Sequence, residues 1–276
     1  DLAFIVGPQI NAASRIDDSS LAARLLITSD LEQIDLISRK LFLFNEKRKL
    51  IESQILENAK EQALNQFNSK FIIVHGNNWH QGVLGIIASK LSEIYYKPTI
   101  VISFINNIGI GSARSIEGID LGKLILNAKE EKILFSGGGH SMAAGLKIKI
   151  QNLTKFKKYL SHSFENFNKN LFEKIDLFDG FISLNEINLD LIENLSQLEP
   201  FGKGNPEPIF IIKDALINSI KIIQNKHIII FFQNDFGKIL KGVCFNSKDT
   251  ILGDYLEKFN QYRFYFAATL TIDKFS

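Results

Sequence analysis

The sequence has 276 residues, 45% of them hydrophobic and 22% charged, a balance that excludes a disordered chain and leaves room for two domains or one with a large appendage. With 32 Lys and Arg against 30 Asp and Glu the net charge is only +2, so a nucleic-acid partner would have to be held by a local basic surface and not by the field of the whole molecule. The single cysteine, Cys244, excludes an internal disulfide and a cysteine-cluster metal site and fits a reducing cytoplasm; no apolar run approaches the length of a membrane span.

The chain opens on Asp1 and runs through Leu2 to Val6, an apolar stretch expected to be a short strand or helix end closed by Gly7-Pro8. Because this stretch enters a loop without a preceding turn or cap, further sequence is expected upstream. In the next segment Asn11 and Arg15 stand four residues apart with Ala12 and Ala13 between them, so a helix would put both side chains on one face. An amide beside a guanidinium suits a phosphate, although Arg15 could equally pair with Asp17 or Asp18 at a helix start. Asp17, Asp18 and Ser19 are candidate caps for a helix over Leu21 to Thr28.

From Leu31 to about Asn68 there is no Gly or Pro, and apolar residues recur at helical spacing, which predicts one long connecting helix with Glu46, Lys47, Arg48 and Lys49 on its solvated side. Apolar runs at Phe71 to His75 and Thr99 to Phe104, with a helical segment from Gln81 to Tyr96 between them, predict a strand–helix–strand unit. Its first connection carries Trp79 and His80 at the helix N-terminus, where α/β folds place ligands; His80 could cap the helix or reach a substrate, and Trp79 suits core packing.

The strand predicted over Ile108 to Ile116 places Ser112 and Arg114 on one face, again a pairing suited to an anion, with Gly109 and Gly111 where a backbone or ligand comes close. A helix over Leu121 to Lys129 leads to Gly137-Gly138-Gly139-His140, expected to be a loop whose bare N–H groups could hold an anion, or simply a flexible turn. A strand over Ala143 to Ile150 and an amphipathic helix over Leu153 to Phe167 complete an α/β domain, in which Arg114 and His140 are expected on facing sides of one groove. Beyond a boundary at residues 168–179 comes Glu199 to Pro208, a loop with three of the five prolines, and then strands over Ile209–Ile212, Ile217–Ile223, His227–Gln233, Ile239–Phe245 and Tyr262–Ile272, with a helix near Ile251 to Phe259. This order predicts a small oligonucleotide-binding-type barrel, where Phe231, Phe232, Tyr262, Phe264 and Tyr265 serve the core or a bound strand.

Five ordered motifs carry a resemblance: Gly7 to Arg15, Trp79 to Ile86, Gly111 to Ser115, Gly137 to Gly145 and Pro200 to Pro206. Together they are similar to the signature of the RecJ family, single-strand-specific 5′→3′ exonucleases of the DHH phosphoesterase superfamily. The resemblance implies an α/β chain made of the end of a DHH catalytic domain (1–30), a connecting helix (31–69), a mixed-sheet DHHA1 domain (70–168) and an OB-fold domain with its linker (169–276). It implies metal-assisted phosphodiester hydrolysis on single-stranded DNA with Mn²⁺ or Mg²⁺, in a cytoplasmic monomer that meets a single-strand-binding protein or a helicase. The implied roles are Asn11 and Arg15 near the 5′ phosphate, Ser112 and Arg114 on the backbone, and His140 with Gly138 and Gly139 at the scissile phosphate, with His80 a further substrate-binding candidate.

Two departures stand out. Gln9 occupies a position where the family usually has Arg, and the Asp-His-His motif with its metal-binding aspartates, which lies upstream in the family, has no counterpart in this sequence. A non-catalytic single-strand-binding module is the alternative. A phosphodiesterase acting on short oligonucleotides fits less well with the Pro200 to Pro206 loop and the added barrel.

Overall fold

The computed structural model describes residues 5–202, 204–213 and 215–273, which fall into two compact units, Asp1–Lys174 and Ile175–Ser276. Leu2 to Phe4 lie outside the described residues. Gly7-Pro8 opens a helix instead of closing a segment: α1 spans Gly7–Ile16 with Pro8 in its first turn, where a missing N–H costs nothing. α2 follows at Ser20–Ile27, its entry turn held by Asp18, whose carboxylate accepts from the Ser20 N–H and hydroxyl at 2.8 Å. Asp18 is therefore engaged locally and does not pair with Arg15.

The expected connecting helix is α3, Leu31–Leu64, capped by Asp30 and about 51 Å long at 1.5 Å per residue. Ile37 and Leu41 in its first half pack on Ala13 of α1; Ile55, Ala59 and Ala63 in its second half pack on the sheet layer. One side of α3 is less solvated than its charge suggests. Arg48 and Glu52 are only 15% and 7% exposed, and Glu52 accepts at 2.5 Å from both Arg48 and Lys90 of the following helix. Burying a charged group is costly without such partners, so this network ties the two helices in one register.

The sheet of the first unit has the order β1 (Ile72–Asn77), β2 (Thr99–Ile105), β3 (Ile108–Arg114), β5 (Ala143–Lys149), β4 (Ser136–His140); only β1 and β2 are parallel. α4 (Gln81–Tyr95) and α3 cover one face over Ile72, Val74 and Val101, while α5 (Leu121–Glu130) and α6 (Leu153–Glu165) cover the other over Ile100, Ile102, Ala113 and Leu146. The edge at β1 is closed by side chains. Gln62 exchanges hydrogen bonds with the N–H and C=O of His75 at 3.0 and 2.8 Å, and Gln66 does the same with Ile73 at 3.0 and 2.9 Å. Two amides a helical turn apart thus imitate a neighbouring strand, which blunts an edge that would otherwise invite pairing.

Gly137 to His140 is not a loop but the edge strand β4, joined to β5 by the two-residue turn Ser141-Met142. Its register is imposed by β5, whose Ala144, Leu146 and Ile148 alternate into the core. Gly109 and Gly111 face that same core, where a Cβ would meet Ile102, Phe104, Ile148 and Leu146, so they serve packing and not a ligand.

Among its described residues the second unit holds two three-stranded sheets, with order β10-β9-β8 and β11-β7-β6, whose ladders do not close into one barrel. The first comprises β8 (Ile217–Ile223), β9 (His227–Gln233) and β10 (Ile239–Cys244); the second comprises β6 (Gly180–Ile182), β7 (Phe210–Ile212) and β11 (Phe266–Ala268). β11 is three residues long, so Tyr262 to Tyr265 precede the strand expected there. α7 (Leu189–Ser196) and α8 (Ile251–Glu257) flank the core of Ile182, Ile212, Ile228, Ile230, Phe232 and Leu256. Of the expected aromatics, Phe232 and Phe264 belong to this core, while Tyr262 and Tyr265 are exposed.

Candidate nucleic-acid interface

Three elements far apart in sequence meet around the N-terminus of α4. Its first glycine, Gly82, lies against the backbone of α1: a Cβ there would stand 2.0 Å from the Arg15 carbonyl oxygen, so only glycine permits the approach. Arg15 donates back to the Gly82 carbonyl at 3.3 Å. One turn on, Gly85 leaves room for β3, since its Cβ would fall 3.1 Å from Arg114 Nη2 and 3.2 Å from Ser112 Oγ. Arg114 donates through Nη1 to the Ala113 carbonyl at 2.9 Å and to Ser112 Oγ at 3.4 Å.

The two guanidiniums are close enough that Arg15, after burial, is a cause of the lowered Arg114 pKa. Arg114 nonetheless stays charged, as arginine does in proteins. Among the described residues neither arginine forms a salt bridge. Two like charges held together without a carboxylate, one of them half-buried, destabilise the empty site and favour an anion in it.

His80 both caps and presents a donor. Its Nδ1 accepts from the Gly82 N–H at 3.2 Å, which requires that nitrogen to be unprotonated and puts the proton of a neutral imidazole on Nε2. Capping and substrate contact are therefore compatible. Trp79 is seated over Gly76, where a Cβ would come within 2.1 Å of the indole, and packs against the α3–α4 core. Asn11 shares the exposed side of α1 with Arg15, as the helical spacing requires.

Arg114 and His140 are not on neighbouring strands. β5 lies between them, and Arg114, Ala143 and His140 form one cross-strand row, about 10 Å from end to end at ordinary strand spacing. The next row on the same face is Ser112, Gly145, Gly138. His140 is exposed and makes no hydrogen bond through its ring among the described residues. Consecutive N–H groups of a strand point to opposite sides, so Gly138 and Gly139 cannot both offer theirs to a ligand off the edge. Gly145, expected from the sequence to be small for tight packing, is open instead, and Lys147, which was not singled out, stands beside it; the alternation of β5 places both opposite its core residues.

Charge divides the second unit. Residues 175–214 carry eight Asp and Glu against two Lys, whereas residues 215–276 carry eight Lys and Arg against five Asp and Glu. The basic part includes the outer row Ser219, Phe231, Lys241 of the β8–β10 sheet, with Lys221 and Val243 one row along and Phe245, 74% exposed, edge-on to His227.

Among the described residues no group of three or more His, Cys, Asp or Glu side chains is placed to hold a metal ion, and no helix is long and apolar enough to cross a membrane. This donor set does not fit Mn²⁺ or Mg²⁺.

Comparison with known proteins gives the same division. The DHHA1 domain model matches residues 68–166 and the RecJ OB domain model matches residues 178–276. The single-stranded-DNA-specific exonuclease RecJ of Haemophilus influenzae is 30% identical over 266 residues, which is 92% of this chain and 46% of that protein. The RecJ of Bacillus subtilis is 28% identical over 91% of this chain and 34% of its own. The crystal structure of RecJ from Thermus thermophilus in complex with Mn²⁺ superposes with a TM-score of 0.77 at 25% identity, covering 90% of this chain and 36% of that one. The chain thus spans between about a third and just under half the length of these relatives. The chain thus carries a DHHA1 domain followed by a RecJ OB domain, and across both it is similar in sequence and fold to these RecJ exonucleases.

Proposed function

We propose that this chain supplies the substrate-gripping part of a single-stranded-DNA-specific 5′→3′ exonuclease of DNA repair and recombination. The observation that carries the reading is the Arg15–Arg114 pair, brought together through Gly82 and Gly85 with no salt bridge to either among the described residues. In this reading Asn11 and Arg15 meet the 5′ phosphate, Ser112, Arg114 and the Nε2–H of His80 hold the backbone, and His140 with one N–H of Gly138 or Gly139 meets the scissile phosphate. A divalent metal, Mn²⁺ or Mg²⁺, would supply activation of water for phosphodiester hydrolysis, and among the described residues no cluster of ligands would hold it, so its ligands are expected in the rest of the complete enzyme. Phe231, Lys221, Lys241 and Phe245 give the second unit its own contact with a single strand, since rings stack on bases and lysines neutralise phosphates without reading sequence.

The 276-residue chain is expected to bind 5′-phosphorylated single strands with an affinity that falls as salt rises, and to release no mononucleotides in Mn²⁺. An affinity flat between low and moderate salt overturns the phosphate-gripping reading. In the complete enzyme Arg114→Ala raises KM, because its contact exists before and during the reaction, whereas His140→Ala lowers kcat by about 100-fold if its donor meets charge that develops in the transition state. Wild-type constants for both variants contradict the assignment. The second reading is a non-catalytic single-strand-binding module, which predicts that the complete natural protein also fails to release mononucleotides.

A further inference from the structure

The buried stripe of α3 runs through Ile37, Leu41, Asn45, Glu52, Ile55, Ala59 and Ala63, at the spacing that keeps residues on one helix face. Both ends of the stripe are apolar. Ile37 and Leu41 pack with Ala13 of α1, and Ile55, Ala59 and Ala63 pack with Val83, Leu84 and Ile87 of α4. Its middle is polar: Arg48 donates through Nε to the buried Asn45 at 3.2 Å and through Nη1 to Glu52, while Lys90, which continues the Val83 and Ile87 row of α4, reaches the other oxygen of Glu52. Apolar packing on either side already holds α3, and apolar side chains of similar volume in place of a buried ion network are often neutral or stabilising. Stability therefore does not explain why this seam is charged at its centre.

What the network adds is direction. Glu52 Oε2 takes Arg48 of α3 and Oε1 takes Lys90 of α4, so a slide of one helix along the other breaks a bond, whereas apolar contact is non-directional and tolerates the slide. The register matters at the arginine pair. Arg15 is carried by α1, which rests on the first half of α3 through Ala13, while Arg114 lies against Gly85 of α4. Arg15 and Arg114 repel each other in the empty site, and α1 buries only Ala12 and Ala13, too little apolar surface to hold a charge against its like. Something must resist their separation, and Glu52 stands between the part of α3 that bears α1 and the part that bears α4.

We propose that Glu52, bridging Arg48 and Lys90, is a positioning residue for the phosphate site: it fixes α3 on α4 so that Arg15 is held beside Arg114, and it touches no substrate itself. The inference rests on the phosphate-gripping reading above and adds to it the device that keeps the two cations together before a phosphate arrives.

The test measures Tm and the affinity of the 276-residue chain for a 5′-phosphorylated single strand at fixed low salt. In the apolar triple variant Arg48→Met, Glu52→Leu, Lys90→Met, the Tm is expected to hold or rise while affinity falls about tenfold. Arg15→Ala, worth about tenfold alone, is expected to cost about twofold or less in the triple background, because Arg15 is already displaced there. The triple variant also loses one net positive charge; Lys47→Gln, on the exposed side of the same helix, removes the same charge and is expected to stay within about twofold of wild type. Should the triple variant not fold, Glu52→Gln decides, measured well below its own Tm: loss of a negative charge alone tightens binding to a polyanion, whereas loss of positioning weakens it. Wild-type affinity in the folded triple variant, an equal loss in Lys47→Gln, an undiminished effect of Arg15→Ala, or tighter binding by Glu52→Gln overturns the positioning role and leaves the phosphate-gripping reading intact. Wild-type affinity in both Arg15→Ala and Arg114→Ala removes that reading, and this inference with it.

Discussion

The two ends of the five-stranded sheet are built on opposite rules. At β1 the edge is shut by Gln62 and Gln66, the strand interior is buried between two helical layers, and every glycine contact is tight. At β5 and β4 one face is left bare, the edge strand consists largely of glycine, and Gly138 on β4 and Gly145 on β5 meet nothing that would forbid a side chain. The difference separates what the fold needs from what a ligand needs. Packing therefore accounts for glycine at one end of the sheet and not at the other.

The comparison is sharpened most by substituting glycines at its two ends. Gly82→Ala forces a Cβ into the Arg15 carbonyl, a backbone atom that cannot rotate away, so we expect a loss of about 2–3 kcal/mol of stability in the first unit. A Tm drop of about 4–10 °C by calorimetry would accompany it. An unchanged Tm would mean that α1 does not rest on α4 as described. Next in size, Gln62→Ala or Gln66→Ala leaves one N–H and one C=O of β1 without a protein partner, at about 1–2 kcal/mol each. Faster amide exchange at His75 and Ile73 is the corresponding readout, and protection equal to wild type would show the edge closed by other means. Gly138→Ala and Gly145→Ala, at the bare end, are expected to change stability by less than about 0.5 kcal/mol.

The smallest effect concerns pH. Burial, with Lys157 nearby, lowers the His75 pKa, so the folded unit favours neutral imidazole while the unfolded chain takes up a proton at the ordinary value. The contribution is fully present above the ordinary imidazole range and is lost as pH falls through it toward the lowered folded value. His75→Gln should flatten the acid limb of a stability profile between neutral pH and the onset of carboxylate protonation; an identical limb would show that His75 titrates alike in both states.

How much of this was legible in the sequence depended on range. α3 announced itself through the lack of Gly and Pro and the apolar spacing, both local signals. β4 did not, because three glycines carry no strand preference and its conformation is imposed by pairing with β5. Arg48 looked solvated because its burial depends on the helix that follows, whose Lys90 meets the same Glu52. Asn11, Arg15, Ser112, Arg114 and His140 were identifiable as anion-seeking groups from donor chemistry, but their arrangement was not, since Arg15 meets Gly82 across 67 residues and Arg114 reaches His140 only through a third strand. The bare face depends on which glycines have neighbours, and no sequence pattern carries that.

The central claim is that Arg15 and Arg114 form one anion site from two elements, and a double-mutant cycle tests it most directly. Affinity for a 5′-phosphorylated single strand at fixed low salt would be measured for wild type, Arg15→Ala, Arg114→Ala and the double variant. We predict a loss of about tenfold or more in each single variant and a double loss smaller than the product of the two, because both groups act on one phosphate and each relieves the other's repulsion when removed. Losses that multiply independently, or single variants that bind as wild type does, would contradict it.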